Sequence, residues 1–525
     1  MTVRRSALGL ACFALGLAAC APSRAGPATP IRPAPTALPA NPTPGAVGIL
    51  QPALCSFPLP EDLREGEDVE CFFLPVPERR SPGAGGTAGR VIQLAVAVLH
   101  PPGGPTHSDP VVYLSGGPGA SALEMLQYSW EAMTEPIFAI GRDLVVFDQR
   151  GVGRSRPALD CPEVDRLAVD LVDRTIEGEV LSKVDAERLL MDRLMTCRDR
   201  LAANADLSAY NSATSADDVE DLRRALGVEA INLWGGSYGT RLALEVMRRH
   251  PDGLRSVVLD AVYPPEVDLF VEAPSNFERA LEALFASCAA NPTCGSAFPA
   301  LRSEFLAMVA RLNDSPILRT IEDPFTQEDR PVWTDGDVIL SLTFQLLYDS
   351  RLRYLLPQQI DAATQGDYRA FDLARVSRVR LIDLGSQGMS LSVQCHEEVP
   401  FSSLEALQRE LAHHPGVRSM YEGSLLGNLV YEVCLEWGAG QADPAANEAV
   451  SSDLPTLVLA GEFDPITPPF WGRRAARNLS RAYFYEFPGL GHGAVGVASC
   501  PSAMFTAFLE DPDRPPDDSC IADMR

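Results

Sequence analysis

Three side chains far apart in the chain have the types and settings for nucleophilic chemistry: Ser237, Asp464 and His492. Ser237 lies in Gly235-Gly236-Ser237-Tyr238-Gly239, after the apolar run 231–234 and before a helical pattern carrying Leu242, Leu244, Val246 and Met247. A serine on a sharp strand-to-helix turn sits in a strained backbone, so the residues two before and two after it must lack bulk. The helix that follows aims its positive end at an oxygen gaining charge. Asp464 follows the apolar run 456–461, and His492 lies in a Gly-rich loop after the strand pattern 482–487. Serine alone is a poor nucleophile at neutral pH. An imidazole must take its proton, and a carboxylate must hold that imidazole in one tautomer. The three residues together permit acyl transfer to water through a covalent acyl-enzyme, as in an amidase, peptidase or esterase.

Competing residues narrow the choice. The histidines are 100, 107, 250, 396, 413, 414 and 492. His250 precedes Pro251 at a helix end and His413-His414 close a polar helix, so all three are expected at solvent, whereas Gly491 and Gly493 free the His492 loop to place its ring. Asp260 also ends a strand pattern and is the alternative acid. The oxyanion hole is expected to use the backbone N–H of Tyr238 and that of Gly117, the latter in the loop Gly116-Gly117-Pro118-Gly119 after the buried run 111–114. Asp148 and Arg150, in Asp148-Gln149-Arg150-Gly151, are expected to brace loops by ion pairing.

Those residues need a scaffold that brings strand ends to one rim. Strand patterns alternate with helical ones over most of 91–262 and again over 456–487, which indicates a mostly parallel sheet with helices on both faces. The order Ser, Asp, His, each just after a strand, is that of an α/β-hydrolase fold. Asp217-Asp218 are expected to start a helix running to Leu226. Between about 266 and 450 the alternation stops, and apolar stripes such as Phe277, Leu281, Leu284 and Phe285 predict an inserted, mainly helical cap. The expected organisation is core at 51–265, cap at 266–450 and core with a C-terminal tail at 451–525. Ligands of open α/β sheets bind at the carboxyl ends of the strands.

The first residues stand apart. Arg4-Arg5 precede the apolar run 7–19, too short to span a bilayer but suited to a signal-peptide core over 1–19. Leu17-Ala18-Ala19-Cys20 resembles a bacterial lipobox, which makes Cys20 the expected lipidation site and the membrane a partner through that anchor alone. Residues 21–50 hold eight prolines, so 20–50 is expected to be an extended linker. The protein is therefore expected to be exported and tethered to a bacterial membrane. Of 12 cysteines, setting aside Cys12 and Cys20 leaves an even set for disulfides in an exported chain. Nearest-neighbour pairing is expected: Cys55–Cys71, Cys161–Cys197, Cys288–Cys294, Cys395–Cys434 and Cys500–Cys520. No Cys-x-x-Cys pair or His-rich set appears, so neither metal nor organic cofactor is expected. A net charge of −26 excludes a nucleic-acid partner on electrostatic grounds.

Taken together, Gly116-Gly-Pro-Gly119, the run Asp148 to Ser155, Gly235-Gly-Ser-Tyr-Gly-Thr240, Gly461-Glu-Phe-Asp-Pro465 and Gly491-His492 resemble exported tripeptidyl-aminopeptidase-like α/β-hydrolases, relatives of the proline iminopeptidases. The resemblance runs from about 52 to 520. It implies a serine exopeptidase that takes peptides with free N-termini, with Ser237, Asp464 and His492 as its triad. It also implies an acidic cap residue that holds the substrate's ammonium, for which Glu397, in Val393-Gln-Cys-His-Glu-Glu-Val399, is the match. Ser115 stands where proline iminopeptidases commonly carry histidine, which puts strict proline specificity in doubt. An esterase with the same triad and a non-catalytic binding protein on this fold are the alternatives.

Overall fold

The computed structural model describes residues 47–80, 89–171, 175–176, 179–322, 327–380 and 385–524. The expected signal segment, Cys20, most of the linker and the Gly-rich turn before the third strand lie outside the described residues.

One sheet organises the core. Its strands are β1 (Gln51–Ala53), β2 (Val69–Pro77), β3 (Val91–Leu99), β4 (Val111–Leu114), β5 (Leu144–Phe147), β6 (Ile231–Gly236), β7 (Leu254–Asp260), β8 (Thr456–Gly461) and β9 (Ala482–Phe487). Their spatial order is β1-β2-β3-β5-β4-β6-β7-β8-β9. From β5 onward every neighbour is parallel, and β1, β2 and β3 add an antiparallel edge. The short strands β4 and β5 are buried at every position and carry only apolar or aromatic side chains, as strands covered on both faces do. On β4, Val111 and Tyr113 join one core while Val112 and Leu114 join the other, the alternation that a pleated strand imposes. The first core packs Leu123, Leu126, Met133, Ile137, Phe505 and Phe508 against the sheet. The second packs Ala216, Val219, Leu222, Leu242 and Val246 on the opposite face.

The helix Ser212–Leu226 begins earlier than Asp217-Asp218 suggested. Asn211 caps it, accepting from the Thr214 N–H while Thr214 reciprocates toward the Asn211 N–H. Asp218, released from capping, is buried and pairs with Arg150 and Arg80. Asp217 takes Arg249 and His250 instead, so His250 is half-buried with its Nε2 2.8 Å from Asp217 Oδ1 rather than free at solvent. His414 is likewise held between Glu278 and Glu410.

Between β7 and β8 the chain builds a helical layer that includes Leu269–Ala290, Leu301–Asp314, Gly336–Tyr348, Gln387–Glu397 and Leu429–Trp437. A two-stranded hairpin, Ile317–Glu322 with Asp329–Thr334, interrupts it. Its first strand alternates half-buried and exposed residues, a period-two pattern too short and polar to stand out among helical stripes. This layer packs into a third core, shared with Val152, Tyr210, Tyr238 and Trp471 from outside it, in which Phe277, Phe305, Leu340, Met389 and Trp437 are buried. The disulfides are Cys55–Cys71, Cys161–Cys197, Cys288–Cys294, Cys395–Cys434 and Cys500–Cys520, the nearest-neighbour set.

Candidate active site

β6 ends at Gly236, and the helix Tyr238–Arg249 starts one residue later. Ser237 makes the turn between them with φ 56° and ψ −124°. A non-glycine residue rarely adopts that conformation, and the surrounding contacts hold it there. The Ser237 N–H donates to the Asp260 carbonyl at 2.9 Å, and Thr240 Oγ1 donates to the Ser237 carbonyl at 2.6 Å. A Cβ on Gly239 would fall 1.9 Å from the Leu114 carbonyl oxygen, and one on Gly235 would fall 2.4 Å from the Gly239 oxygen. Only glycine allows β6 and its helix to cross β4 this closely.

The Gly116–Gly119 loop leaves β4 beside the serine. A Cβ on Gly116 would lie 2.9 Å from Ser237 Cβ, so the loop backbone packs directly on Ser237. Ser115 is buried and its hydroxyl donates to the Ala120 carbonyl at 2.5 Å, closing the loop on itself. Gln149 Nε2 donates to the Ser115 carbonyl at 3.0 Å. Asp148 braces the same region through hydrogen bonds rather than an ion pair. It accepts from Ser121 Oγ and the Leu123 N–H on one oxygen and from the Arg154 N–H on the other. Burial pushes its carboxyl up to about 6 despite those donors. Arg150 does form the expected ion pair, to both oxygens of Asp218 at 2.7 Å, and also donates to the Glu78 and Ala209 carbonyls. Tyr238 turns its ring inward, its hydroxyl 2.8 Å from Ser212 Oγ, leaving its backbone N–H at the first turn of the helix after Ser237.

Asp464 and His492 meet across the ends of β8 and β9. His492 Nδ1 lies 2.8 Å from Asp464 Oδ2. Asp464 is fully buried and also accepts from the Ile466 and Thr467 N–H groups and from Thr467 Oγ1. Burial alone would push its carboxyl up, but the His492 imidazole and these donors outweigh burial and hold it below the ordinary aspartate value. Asp260, the alternative acid, faces the residues just past the histidine and accepts from the Ala494 and Val495 N–H groups. Burial pushes it up to about 6.

The inserted helical layer reaches the loops that carry Asp464 and His492. Arg279 donates to the Glu462 and Asp464 carbonyls, and Asn276 to that of Ile466. The His492 N–H donates to the Tyr348 carbonyl at 3.1 Å, the Gly491 N–H to Ser350 Oγ at 2.8 Å, and Arg353 Nε to the Gly489 carbonyl at 2.9 Å. The Tyr348 ring lies on the imidazole, centroids 4.1 Å apart. One residue thus meets His492 through both its ring and its backbone. Tyr348 and Thr467 escaped the sequence reading. Thr467 follows Asp464 at the spacing of a side-chain turn, a legible signal. Tyr348 closes an apolar cap helix and carries none.

Glu397, expected to hold a substrate ammonium, is instead a buried brace. One oxygen accepts from the Ser212 N–H at 2.8 Å, and the other pairs with Arg241 of the Ser237 helix at 3.3 Å. Glu398 joins the same guanidinium at 2.8 Å, and burial pushes its carboxyl up to about 7. No cluster of His, Cys, Asp and Glu among the described residues has the arrangement of a metal site.

Residues 109–296 match the α/β hydrolase fold family, and residues 422–520 match the family described as TAP-like protein. Carboxylesterase B of Mycobacterium tuberculosis is 30% identical over 448 residues, covering 80% of this chain and 81% of that protein. Serine protease Hip1 of the same species is 26% identical over 423 residues, 76% of this chain and 78% of that protein. Tripeptidyl aminopeptidase of Streptomyces coelicolor is 28% identical over 205 residues, 38% of this chain and 36% of its own length.

Proposed function

From a chain that belongs to the α/β-hydrolase family and is a serine hydrolase with a TAP-like carboxyl-terminal region, we propose an exported aminopeptidase that releases amino acids or short peptides from free N-termini. Ser237, His492 and Asp464 are its triad. The observation that carries the reading is the 2.8 Å contact of His492 Nδ1 with buried Asp464, on the rim where Ser237 is held at φ 56°. Asp464 fixes the Nδ1–H tautomer, which leaves Nε2 as the base. Nε2 takes the Ser237 hydroxyl proton as Oγ attacks the scissile carbonyl. The Tyr238 and Gly117 N–H groups receive the oxyanion. His492 returns the proton to the leaving amine, and water, activated the same way, releases the acyl group.

Peptides are favoured as substrates by the likeness to a serine protease and to a tripeptidyl aminopeptidase. The five disulfides fit an oxidising compartment and hence export. Lipidation of Cys20 would add a membrane tether. Glu397, the expected acceptor for the substrate's ammonium, already pairs with Arg241.

The likeness to a carboxylesterase favours a second reading, hydrolysis of small esters by the same triad. Rates on aminoacyl anilides and on their N-acetyl forms separate the two. An aminopeptidase loses the acetylated substrate. An esterase cleaves esters readily and is indifferent to the acetyl group.

A further inference from the structure

The helix Leu269–Ala290 carries a polar stripe in its first half, Glu272, Asn276 and Arg279, at the i, i+4, i+7 spacing that sets side chains above one another on one face. The stripe holds the segment just past β8, which carries Asp464. Arg279 Nη1 donates to the Glu462 carbonyl at 2.8 Å, and Nη2 to the Asp464 carbonyl at 2.6 Å. Asn276, wholly buried, donates through Nδ2 to the Ile466 carbonyl at 3.1 Å. Glu272 accepts from Trp471 Nε1 at 2.7 Å and from Arg474 Nη1 at 3.3 Å, both on the helix Pro469–Ala476 that follows. The histidine loop holds the same segment from its other side. The Glu462 N–H donates to the Phe487 carbonyl, the Phe463 N–H to that of Leu490, and the Gly489 N–H to the Glu462 carboxylate at 2.9 Å. A Cβ on Gly461 would lie 1.9 Å from the Gly491 carbonyl oxygen, so the two loops touch backbone to backbone. The Asp464 carboxylate itself is spent within these loops, on Ile466, Thr467 and His492.

We infer that Arg279 is a positioning residue for the triad acid: its guanidinium, forked across the Glu462 and Asp464 carbonyls, fixes the turn from which the Asp464 carboxylate reaches His492. The inference rests on the triad reading above and gives the inserted helical layer a part in the chemistry without contact with substrate or the reacting atoms. The residue type suits the task. A planar guanidinium presents its N–H donors in a fixed fork and so sets the spacing of two acceptors, whereas a lysine ammonium is one point of attachment on a flexible stem. Hydrogen bonds from a charged donor are also stronger than neutral ones. What the fork secures is the 2.8 Å separation of His492 Nδ1 from Asp464 Oδ2. As Ser237 attacks, its proton passes to His492 Nε2, and the carboxylate must already stand at hydrogen-bond distance to stabilise the imidazolium. No proton passes on to Asp464. A slack turn leaves the imidazole tilted or in the wrong tautomer in a fraction of molecules. That fraction is lost from kcat while substrate binding is untouched.

Arg279→Met keeps an aliphatic stem and removes both donors. The expected result is kcat lower by about 100-fold at an unchanged KM, the size of loss that a small misplacement of a catalytic group brings. Arg279→Lys, which reaches one carbonyl at a time, should fall between, about tenfold below wild type. A merely structural arginine would not move the far-downfield proton resonance of the His492 Nδ1–H, recorded well below the unfolding midpoint. In Arg279→Met that resonance should shift or broaden. A lowered midpoint with wild-type kcat and an unmoved resonance would overturn the assignment, as would a loss confined to KM. If Arg279→Met does not fold, Arg279→Lys carries the test. Reduced kcat at constant KM with a displaced resonance then supports the role, and wild-type values of both overturn it. Adding Arg279→Met to Asp464→Asn shows whether the arginine works through the acid: the further loss should be about threefold or less. A further loss as large as in the wild-type background overturns it. Asp464→Asn alone keeps the underlying reading separate. Turnover undiminished in Asp464→Asn removes the triad, whereas a crippled Asp464→Asn beside an unimpaired Arg279→Met removes only the role of the arginine.

Discussion

His492 hangs from Tyr348: its main-chain N–H donates to the Tyr348 carbonyl at 3.1 Å, and its imidazole lies 4.1 Å, centroid to centroid, under the Tyr348 ring. A residue of the inserted cap therefore sets the position of a residue of the core. A cap that swung away as a rigid lid would have to release the histidine from these contacts, so substrate entry must spare this hinge or suspend catalysis while it opens.

The two candidate acids should separate cleanly. Asp464→Asn leaves the geometry but spoils the tautomer of His492, and kcat should fall by about 10⁴. Asp260→Asn disturbs the loop past the histidine, where Asp260 accepts from Ala494 and Val495. Its kcat should fall about tenfold, roughly 1.4 kcal/mol of barrier. Steady-state kinetics on one chromogenic substrate compares them, and similar losses would mean that the acid is misassigned.

The glycines of the elbow differ in what they tolerate. Gly239→Ala puts a methyl 1.9 Å from the Leu114 oxygen, so the strand and helix must part. The expected cost exceeds the usual 1–3 kcal/mol of overpacking, read as loss of folded protein or a large drop in unfolding midpoint (about 3 kcal/mol or more). Gly236→Ala meets nothing nearer than the Tyr113 hydroxyl at 3.4 Å and should fold. Urea unfolding of both variants is the measurement, and a stable, active Gly239→Ala would contradict the geometry.

Buried Asp148 gives stability an unusual pH dependence. Its carboxyl stands at about 6 in the fold against an ordinary 3.8. Between those values the folded protein binds the proton more tightly than the unfolded chain, so this group's contribution falls as pH rises from about 4 to about 6 and is level above. Asp148→Asn removes the titration while keeping one acceptor. Its unfolding free energy should therefore fall less steeply across that window than the wild-type value. Parallel curves would show that Asp148 does not titrate there.

Glu397→Gln tests brace against anchor. A brace predicts lower stability, on the order of 1–3 kcal/mol for the weakened contact with Arg241, and an unchanged KM for free-amine substrates. An ammonium anchor predicts the reverse: raised KM and intact stability. Thermal melts beside KM values for aminoacyl anilides decide it.

Much of the scaffold was legible because it is governed by short-range rules. The period-two and all-apolar strand patterns and the glycines flanking Ser237 marked its strand-to-helix turn, and the loops after 461 and 487 placed Asp464 and His492 on one rim. Export and an even cysteine count pointed to disulfides, and the nearest-neighbour hypothesis for their pairing matches the bonds in the structure. What escaped depends on contacts distant in sequence. Nothing in Val393 to Val399 announces that Glu397 meets Arg241, 156 residues away, rather than a ligand. The helix start at Ser212 was hidden because Asp217-Asp218 look like better caps than Asn211, yet both aspartates are taken by arginines from other elements. Tyr348 could not be singled out because an aromatic ending an apolar cap helix is usual core material.

The most direct test is the mass of the enzyme trapped during turnover. Mixing the protein with an activated aminoacyl ester, quenching in acid and mapping peptides should find the acyl group on Ser237, absent from Ser237→Ala, which should lose activity by several orders of magnitude, about 10⁶ for a triad nucleophile. An acyl group on another residue, or undiminished turnover by Ser237→Ala, would contradict the serine mechanism.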